Sequence, residues 1–277
     1  MSQNKDKDKP MSKPNDPSPA TITCRFEALD TWFFREARPH GSVGSSELNS
    51  VFPPPVRTLL GALRTLIGDS WFAKNGGDWR SFSQRNDHPL RTLIGFGDDL
   101  GSLSARGPFL SLHGQRLYPA PANLMTKEHG GQHHYFLLDL GAPVRCDLGA
   151  VYLPAFPATV SGLPELAGSK PAEGCWLTEK GLRAVLQGQA PAPTEVVTQS
   201  QLYTQEPRLG IGRENSRSAV KEGMLYQTRH LRLRSGVAVE LELSGLTQPE
   251  LLPAQTTLRL GGEGRMAGLH TQAAGRT

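Results

Sequence analysis

The stretch Pro-Pro-Pro-Val-Arg-Thr-Leu-Leu-Gly-Ala-Leu-Arg-Thr-Leu-Ile-Gly, residues 53–68, carries the clearest structural signal in the chain. Proline fits the first turn of a helix because its missing N–H would have no partner there. After the prolines, apolar residues recur at helical spacing, at Val56, Leu59, Leu60, Leu63, Leu66 and Ile67. The sequence therefore predicts an amphipathic helix that begins directly after Pro55.

A second stripe runs beside the apolar face of this helix. Because successive residues are about 100° apart around a helix, Arg57, Gly61, Arg64 and Gly68 fall within about one sixth of its circumference. Arginines offer charge and glycines admit another backbone closely, so the stripe is a candidate contact for nucleic acid. An ordinary exposed helix flank explains the same residues equally well.

Strand patterns lie on both sides of the helix in sequence. Residues 21–29 alternate between apolar and polar side chains, which predicts a strand with one buried face. Residues 229–244 predict a hairpin in which Leu233 opposes Val237 around a three-residue loop. This register puts the apolar residues of both strands on one face.

Composition limits the class of fold. The 277 residues include 30 glycines and 22 prolines, which favours sheets joined by long connections over a helical bundle. Residues 1–20 are rich in Lys, Asp, Pro and Ser, so they predict a disordered tail. Residues 70–200 carry only a weak pattern, and we expect a long irregular insertion there.

Several function classes find no support in the sequence. The three cysteines lack C-x-x-C spacing, which argues against a zinc site and a disulfide framework. His129, His133 and His134 are interrupted by two glycines, so we expect no metal there and no cofactor elsewhere. No run approaches 18 apolar residues, so we expect a cytoplasmic protein without membrane contact.

Basic residues concentrate in one segment. The net charge is +4, and residues 204–236 alone hold seven basic and three acidic side chains. Gly210 and Gly212 stand between Arg208 and Arg213, where a loop can wrap a phosphate backbone and donate N–H groups and guanidinium forks. A solvated basic loop with ion pairs to its own acids is the alternative interpretation.

Five stretches occur in a specific order: residues 29–39 (LDTWFFREARP), 51–64 (VFPPPVRTLLGALR), 206–215 (EPRLGIGREN), 222–226 (EGMLY) and 260–263 (LGGE). This order resembles the third-subunit family of the Cmr complex, the type III-B CRISPR–Cas antiviral effector, within the RAMP superfamily. The likeness runs from about Thr21 to the C-terminus and is weak between Asp69 and Ser200. His40 stands where an aromatic residue is expected, and Glu214 where Asp is expected.

The resemblance implies an α+β fold, specifically a ferredoxin-like (RRM-like) RAMP domain over residues 21–277 with the long insertion at about 70–200. Relatives continue beyond the equivalent of Arg265 through a second module. We therefore expect this second ferredoxin-like module to be missing or truncated here.

The resemblance also implies a function. A subunit of this kind grips the repeat-derived 5′ tag of the guide RNA (crRNA), and it caps the complex beside the large polymerase-like subunit. It also neighbours the backbone RAMP subunit, meets target RNA only indirectly and is not itself an enzyme. Carried over by motif, the expected RNA-binding residues are Arg35, Arg38, Arg57, Arg64, Arg208, Gly210, Gly212, Arg213, Arg217, Gly261, Gly262 and Arg265.

Two alternatives stay open on sequence grounds. One is an endoribonuclease of the same superfamily that processes guide RNA, with His40 or His230 as the general base. The other is a module that only scaffolds neighbouring proteins, with its basic segment facing acidic protein surfaces.

Overall fold

The structure, a computed structural model, describes residues 21–36, 46–214 and 219–273. The predicted disordered tail, residues 1–20, lies outside these ranges. Arg38, His40 and Arg217 lie outside them as well. The described chain is α+β, with large antiparallel sheets.

The elements are as follows. The strands are β1 (Ile22–Ala28), β2 (Thr31–Trp32), β3 (Ser46–Leu48), β4 (Ser104–Leu112), β5 (Gln115–Pro119), β6 (Leu124–His129), β7 (Gln132–Leu137), β8 (Asp139–Cys146), β9 (Gly149–Ala155), β10 (Lys170–Pro171), β11 (Cys175–Leu177), β12 (Val196–Thr198), β13 (Tyr203–Glu214), β14 (Ala219–Leu233), β15 (Val237–Ser244), β16 (Gln255–Arg259) and β17 (Met266–Ala273). The helices are α1 (Val56–Asn75), α2 (Trp79–Gln84), α3 (Pro89–Ile94), α4 (Glu179–Leu186) and α5 (Gln199–Leu202), with 3₁₀ turns at Pro193–Glu195 and Pro249–Leu251.

The predicted helix is confirmed. It starts at Val56, directly after Pro55, and buries Leu59, Leu63 and Ile67. Proline at this junction leaves no intrahelical hydrogen bond unmade. The buried residues of α1 join the largest hydrophobic core of the described chain.

The main sheet supplies the other side of that core. Its eight strands run in the order β12-β11-β5-β4-β15-β1-β17-β16, and every neighbouring pair is antiparallel. The strand predicted at residues 21–29 is confirmed as β1, near the middle of this sheet. Cys24 pairs with Leu241 and Phe26 with Val239, so one face of the sheet is apolar and buried.

A second sheet has the order β13-β14-β2, and β3 runs parallel to β14 beside it. β13 and β14 form a long hairpin in which Glu206 opposes His230 and Arg208 opposes Thr228. This sheet carries most of the basic segment.

The hairpin predicted at residues 229–244 is wrong. β14 pairs with β13 in the second sheet, whereas β15 pairs with β1 and β4 in the main sheet. The connection at residues 234–236 is therefore a corner between two sheets. Two apolar strands joined by a tight turn have the same local sequence pattern whether they pair with each other or enter different sheets. Here the strands that pair with β14 and β15 are distant in sequence, and they decide which arrangement forms.

The segment at residues 70–200 also differs from the expected irregular chain. It contains α2 to α4 and the strands β4 to β12, and β4, β5, β11 and β12 belong to the main sheet. Most of these elements are short, so neither a helical nor a strand period persists long enough to be recognised. Within the described part of the chain, no helix combines the length and apolarity that a bilayer crossing requires.

Candidate nucleic-acid interface

Three arginines from different elements converge on one carboxylate. Arg208 lies in β13, Arg232 in β14, and Arg265 directly before β17. The Nη1 of Arg265 lies 3.1 Å from Oδ2 of Asp30, the Nη2 of Arg208 lies 3.4 Å from the same oxygen, and the Nη2 of Arg232 lies 3.2 Å from Oδ1. Asp30 itself stands between β1 and β2, and we refer to Arg208, Arg232 and Arg265 as the arginine cluster.

Strand alternation explains why two of these arginines meet. Residues two apart in a strand share a face, and directly opposed residues in an antiparallel pair do too. Glu206 and Arg208 therefore share a face of β13 with His230 and Arg232 of β14, because Glu206 opposes His230. The pairing of β13 with β14 therefore fixes the positions of these basic side chains.

Glu206 holds two of the arginines from the side. Arg208 donates through Nε and Nη2 to its Oε1, at 3.0 and 2.7 Å. Arg232 approaches its Oε2 through Nε at 2.7 Å and Nη2 at 2.6 Å. The hydrogen bonds from Arg232 and Arg208 hold the pKa of Glu206 below its usual value, so it stays charged. Glu206 therefore fixes the direction in which both guanidinium groups point.

Asp30 is also kept charged. Partial burial by itself raises its pKa, but the Thr31 amide hydrogen bond and the charges of Arg232 and Arg208 outweigh that effect, so the net shift is downward. Among these five side chains, three arginines and two carboxylates leave one positive charge. A third carboxylate lies nearby, because Oε2 of Glu263 is 3.7 Å from Nε2 of His230, so the charge of the site is nearly balanced.

The glycine-rich turn brings Arg265 to the cluster. The amide of Gly262 donates to the carbonyl of Phe33 at 2.8 Å. Gly261 has a φ of +85°, and a Cβ there would lie 2.5 Å from the same carbonyl oxygen. The close backbone approach that the glycines permit is thus to the protein's own chain, immediately after β2. Placed this way, the turn directs the Arg265 side chain toward Asp30.

His230 lies beneath the cluster with no exposed surface. Its Nδ1 is 3.2 Å from the Thr31 hydroxyl and its Nε2 is 3.1 Å from the Thr228 hydroxyl, while its ring stacks on Phe33 with centroids 5.0 Å apart. Burial first, and then the charges of Arg265 and Arg208, lower its pKa. A neutral histidine with both nitrogens engaged supports the site rather than reaching a ligand.

The arginines of the stripe on α1 are bound to other parts of the same chain. Arg57 pairs with Asp98 at 2.8 Å, and Arg64 donates to the carbonyls of Gly97 and Asp99, each at 3.2 Å. Gly68 is buried under the ring of Trp79, and a Cβ there would overlap that ring. These two arginines therefore lie against the loop at residues 97–99.

The remaining predicted residues divide into four groups. Arg35 is exposed and forms a backbone bridge with Ser50. Gly210 lies against the ring of Tyr226, which a side chain at that position would overlap. Gly212 and Arg213 lie in the β13 backbone, where Arg213 opposes Val220, while Arg38 and Arg217 fall outside the described residues.

Sequence reasoning missed the partners that organise the site. Asp30, Glu206 and Arg232 were not among the expected contacts, and His230 was considered only as a general base. Asp30 and Glu206 nevertheless lie within the quoted stretches. The alternating pairs Glu206/Arg208 and His230/Arg232 would have placed four side chains on one face, given the correct strand pairing. The role of Asp30 had no local signal, because it depends on how two sheets meet.

The family model described as CRISPR-associated protein (Cas_Cmr3) matches residues 24–276. The chain belongs to this family. The Cas_Cmr3 match confirms the resemblance inferred from the order of the five stretches. No curated protein matches the chain significantly.

Solved structures give two further similarities. One is a chain in the cryo-EM structure of the type III-B Cmr-beta bound to cognate target RNA and AMPPnP (state 1), with 18% identity, a TM-score of 0.43 and 92% of the present chain covered. The other is in the same Cmr-beta bound to cognate target RNA, with 16% identity, a TM-score of 0.46 and 91% covered. The present chain spans 64% of the length of each matched chain.

Replacing Gly261 with Ala should destabilise the protein more than replacing Gly264 with Ala. Both glycines have positive φ, +85° and +66°, so alanine costs about 1–2 kcal/mol at either position through backbone strain. Only at Gly261 would the new Cβ also meet the Phe33 carbonyl, since nothing lies within 4 Å at Gly264. Urea unfolding should show a larger loss for Gly261→Ala, and equal losses would contradict the described packing of this turn.

Acidification should destabilise the fold through His230. Because its pKa is lowered on folding, the unfolded chain takes up a proton at higher pH than the folded chain. Stability should therefore fall as the pH drops from about 7 through the ordinary histidine pKa of about 6.5, and this loss should end below the lowered folded value. Urea unfolding at each pH should give a shallower fall for His230→Gln than for wild type, and parallel curves would assign the effect to other groups.

Proposed function

We propose that this chain is a non-catalytic RNA-binding subunit of a type III-B Cmr complex. In this role it holds the repeat-derived 5′ tag of the crRNA and caps the complex beside the large polymerase-like subunit, next to the backbone RAMP subunit. The observation that carries the proposal is the arginine cluster, on a chain of the Cas_Cmr3 family. Guanidinium groups recognise phosphate oxygens through paired N–H donors, which suits an RNA backbone.

The proposed fold is a ferredoxin-like RAMP domain. Such a unit follows the order βαββαβ, and its sheet is antiparallel. Here β1, α1, β4, β15 and β17 occur in this order along the chain, with other elements between them. The four strands lie side by side in the order β4-β15-β1-β17. The 3₁₀ turn Pro249–Leu251 stands in the position of the second helix. This topology supports the proposal. The chain between β4 and β15 contains most of the insertion predicted at about residues 70–200, and also the hairpin of β13 and β14.

The absence of catalysis is part of the proposal. The endoribonuclease alternative needs a base within hydrogen-bond reach of a ribose hydroxyl. His230 is fully buried and hydrogen-bonded through both ring nitrogens to Thr31 and Thr228, which disfavours that role for it. The other candidate, His40, lies outside the described residues.

Replacing Arg208 and Arg265 together with Ala should weaken binding of single-stranded RNA of any sequence. Each phosphate contact on a single strand contributes about 0.7 to the log–log salt slope. Because Arg208 and Arg265 point to one position, that of the Asp30 carboxylate, the double variant loses one phosphate contact and should flatten the slope by about 0.7. Titration of labelled RNA at several salt concentrations measures both effects. Lysine at both positions should restore part of the slope but less of the affinity, because a lysine lacks the planar set of N–H donors by which Glu206 orients Arg208.

The matched control is the double variant Arg85→Ala and Arg183→Ala. Both residues are exposed arginines in ion pairs, with Asp87 and Glu179 respectively, so the control removes the same charge elsewhere. An equal loss of affinity in the control would mean that only overall charge matters. Purification of the complex from its host should also recover guide RNA with this chain.

A second feature supports assembly with other proteins. The strands β8 and β9 form a separate two-stranded sheet, and they expose Leu140 and Tyr152 on one face, Val144 and Leu153 on the other, and Leu148 at the tip. Leu148 is 85% exposed. The hairpin has only three charged residues, with a net charge of −1, which disfavours RNA. We therefore propose that it inserts into an apolar groove of a neighbouring protein subunit, since an uncovered two-stranded hairpin is only marginally stable.

Replacing Leu148 with Asp should reduce co-purification of neighbouring protein subunits without changing RNA binding by the isolated chain. A charge at the tip cannot enter an apolar groove without a large desolvation cost. The control is Leu186→Asp, which changes a similarly exposed leucine at the end of α4. Equal recovery of partners with Leu148→Asp and with wild type would contradict this assignment of the hairpin.

A further inference from the structure

The two carboxylates beside the arginine cluster are held differently. Glu206 accepts from the Nε and the Nη2 of Arg208 and Arg232, so it lies along the side of each guanidinium. Asp30 instead meets only outer Nη nitrogens, one from each arginine of the cluster. Glu206 thus orients the donors, whereas Asp30 occupies the point toward which the donors are directed.

A group at that point needs two properties. It must carry negative charge, and it must present oxygens in more than one direction, because Oδ2 of Asp30 faces Arg208 and Arg265 while Oδ1 faces Arg232. A phosphodiester has one negative charge and two free oxygens, so it matches a carboxylate in both respects. The geometry that binds Asp30 therefore also suits one phosphate of a nucleic-acid backbone.

Asp30 is also able to leave. Its side chain is 52% exposed, and the residue stands in the short connection between β1 and β2 rather than within a strand. Rotation of the side chain toward solvent requires no change in the pairing of either strand. Glu206, at 32% exposed and within β13, is more enclosed.

We propose that the carboxylate of Asp30 is an internal competitor that occupies the binding position of one RNA phosphate and is displaced when RNA binds. The inference rests on the proposed RNA-binding function and adds a regulatory element to the same site. When the Asp30 side chain turns away, the charge of the site rises by one unit in favour of an anion, whatever the contribution of the nearby Glu263. A single free anion must compete with a tethered carboxylate, whereas an RNA strand held by other contacts supplies its phosphate at high effective concentration. Asp30 therefore selects a polyanion over small anions.

The test compares three variants that each add one positive charge to the full-length chain: Asp30→Asn, Glu206→Gln and Asp87→Asn. Asparagine keeps a side-chain oxygen that can accept the Thr31 amide, so Asp30→Asn leaves the turn intact. Asp87 pairs with Arg85 between α2 and α3, away from every predicted RNA contact, and supplies the charge control. The readout is the affinity of a single-stranded oligoribonucleotide at several salt concentrations, with the melting temperature recorded for every variant.

Asp30→Asn should tighten RNA binding by about fivefold at low salt, the size expected when one surface ion pair no longer competes. In a competition assay, sodium pyrophosphate serves as a small-anion probe. It should bind Asp30→Asn better than it binds wild type. Glu206→Gln should not tighten RNA binding, because the arginines lose their orientation, and Asp87→Asn should stay within about twofold of wild type.

Equal tightening by all three variants would overturn the inference in favour of overall charge. Weaker binding by Asp30→Asn would overturn it as well, since Asp30 would then be a positioning residue like Glu206. If Asp30→Asn melts early, Asp30→Ser provides a second neutral variant with the same expected gain. The proposed function fails separately, when wild-type binding does not depend on Arg208 and Arg265.

Discussion

Two neighbouring corners hold the two sheets of this protein together. The chain leaves the main sheet at the end of β1 and enters the second sheet at β2, through Leu29 and Asp30. It returns from β14 to β15 through residues 234–236. Because β1 pairs with β15 and β2 pairs with β14, both crossings lie at the same seam. The register at this seam places Asp30 beside Arg232, and the arginine cluster depends on it.

The arginine cluster shows how a basic segment can be held ready for a ligand while its charge is nearly balanced. Isolated arginines lose rotamer freedom when they bind, and that loss reduces affinity. Here Glu206 restricts Arg208 and Arg232 beforehand, and the glycine-rich turn restricts Arg265. His230 stays neutral below them, so the support under the cluster adds no positive charge that would repel the arginines near neutral pH.

The sequence allowed prediction of those elements whose signals are local. The helix after Pro55 and the strand β1 have apolar periodicities that can be read from their own residues. Arg208, Arg265 and the glycine-rich turn are recognisable by residue type. The false hairpin at residues 229–244 arose because a tight turn does not reveal whether its strands pair with each other. The middle segment was missed because its elements are mostly short, and Asp30 was missed because its partners come from three separated parts of the chain.

A long segment that lies outside the main sheet connects two neighbouring strands of that sheet. β5 and β11 are hydrogen-bonded neighbours, with Pro119 opposite Trp176, although residues 120–174 intervene between them. That intervening chain leaves and re-enters at one place and forms small sheets of its own, including the apolar hairpin. Because both ends of this segment lie at one place, the pairing of β5 with β11 does not set its length.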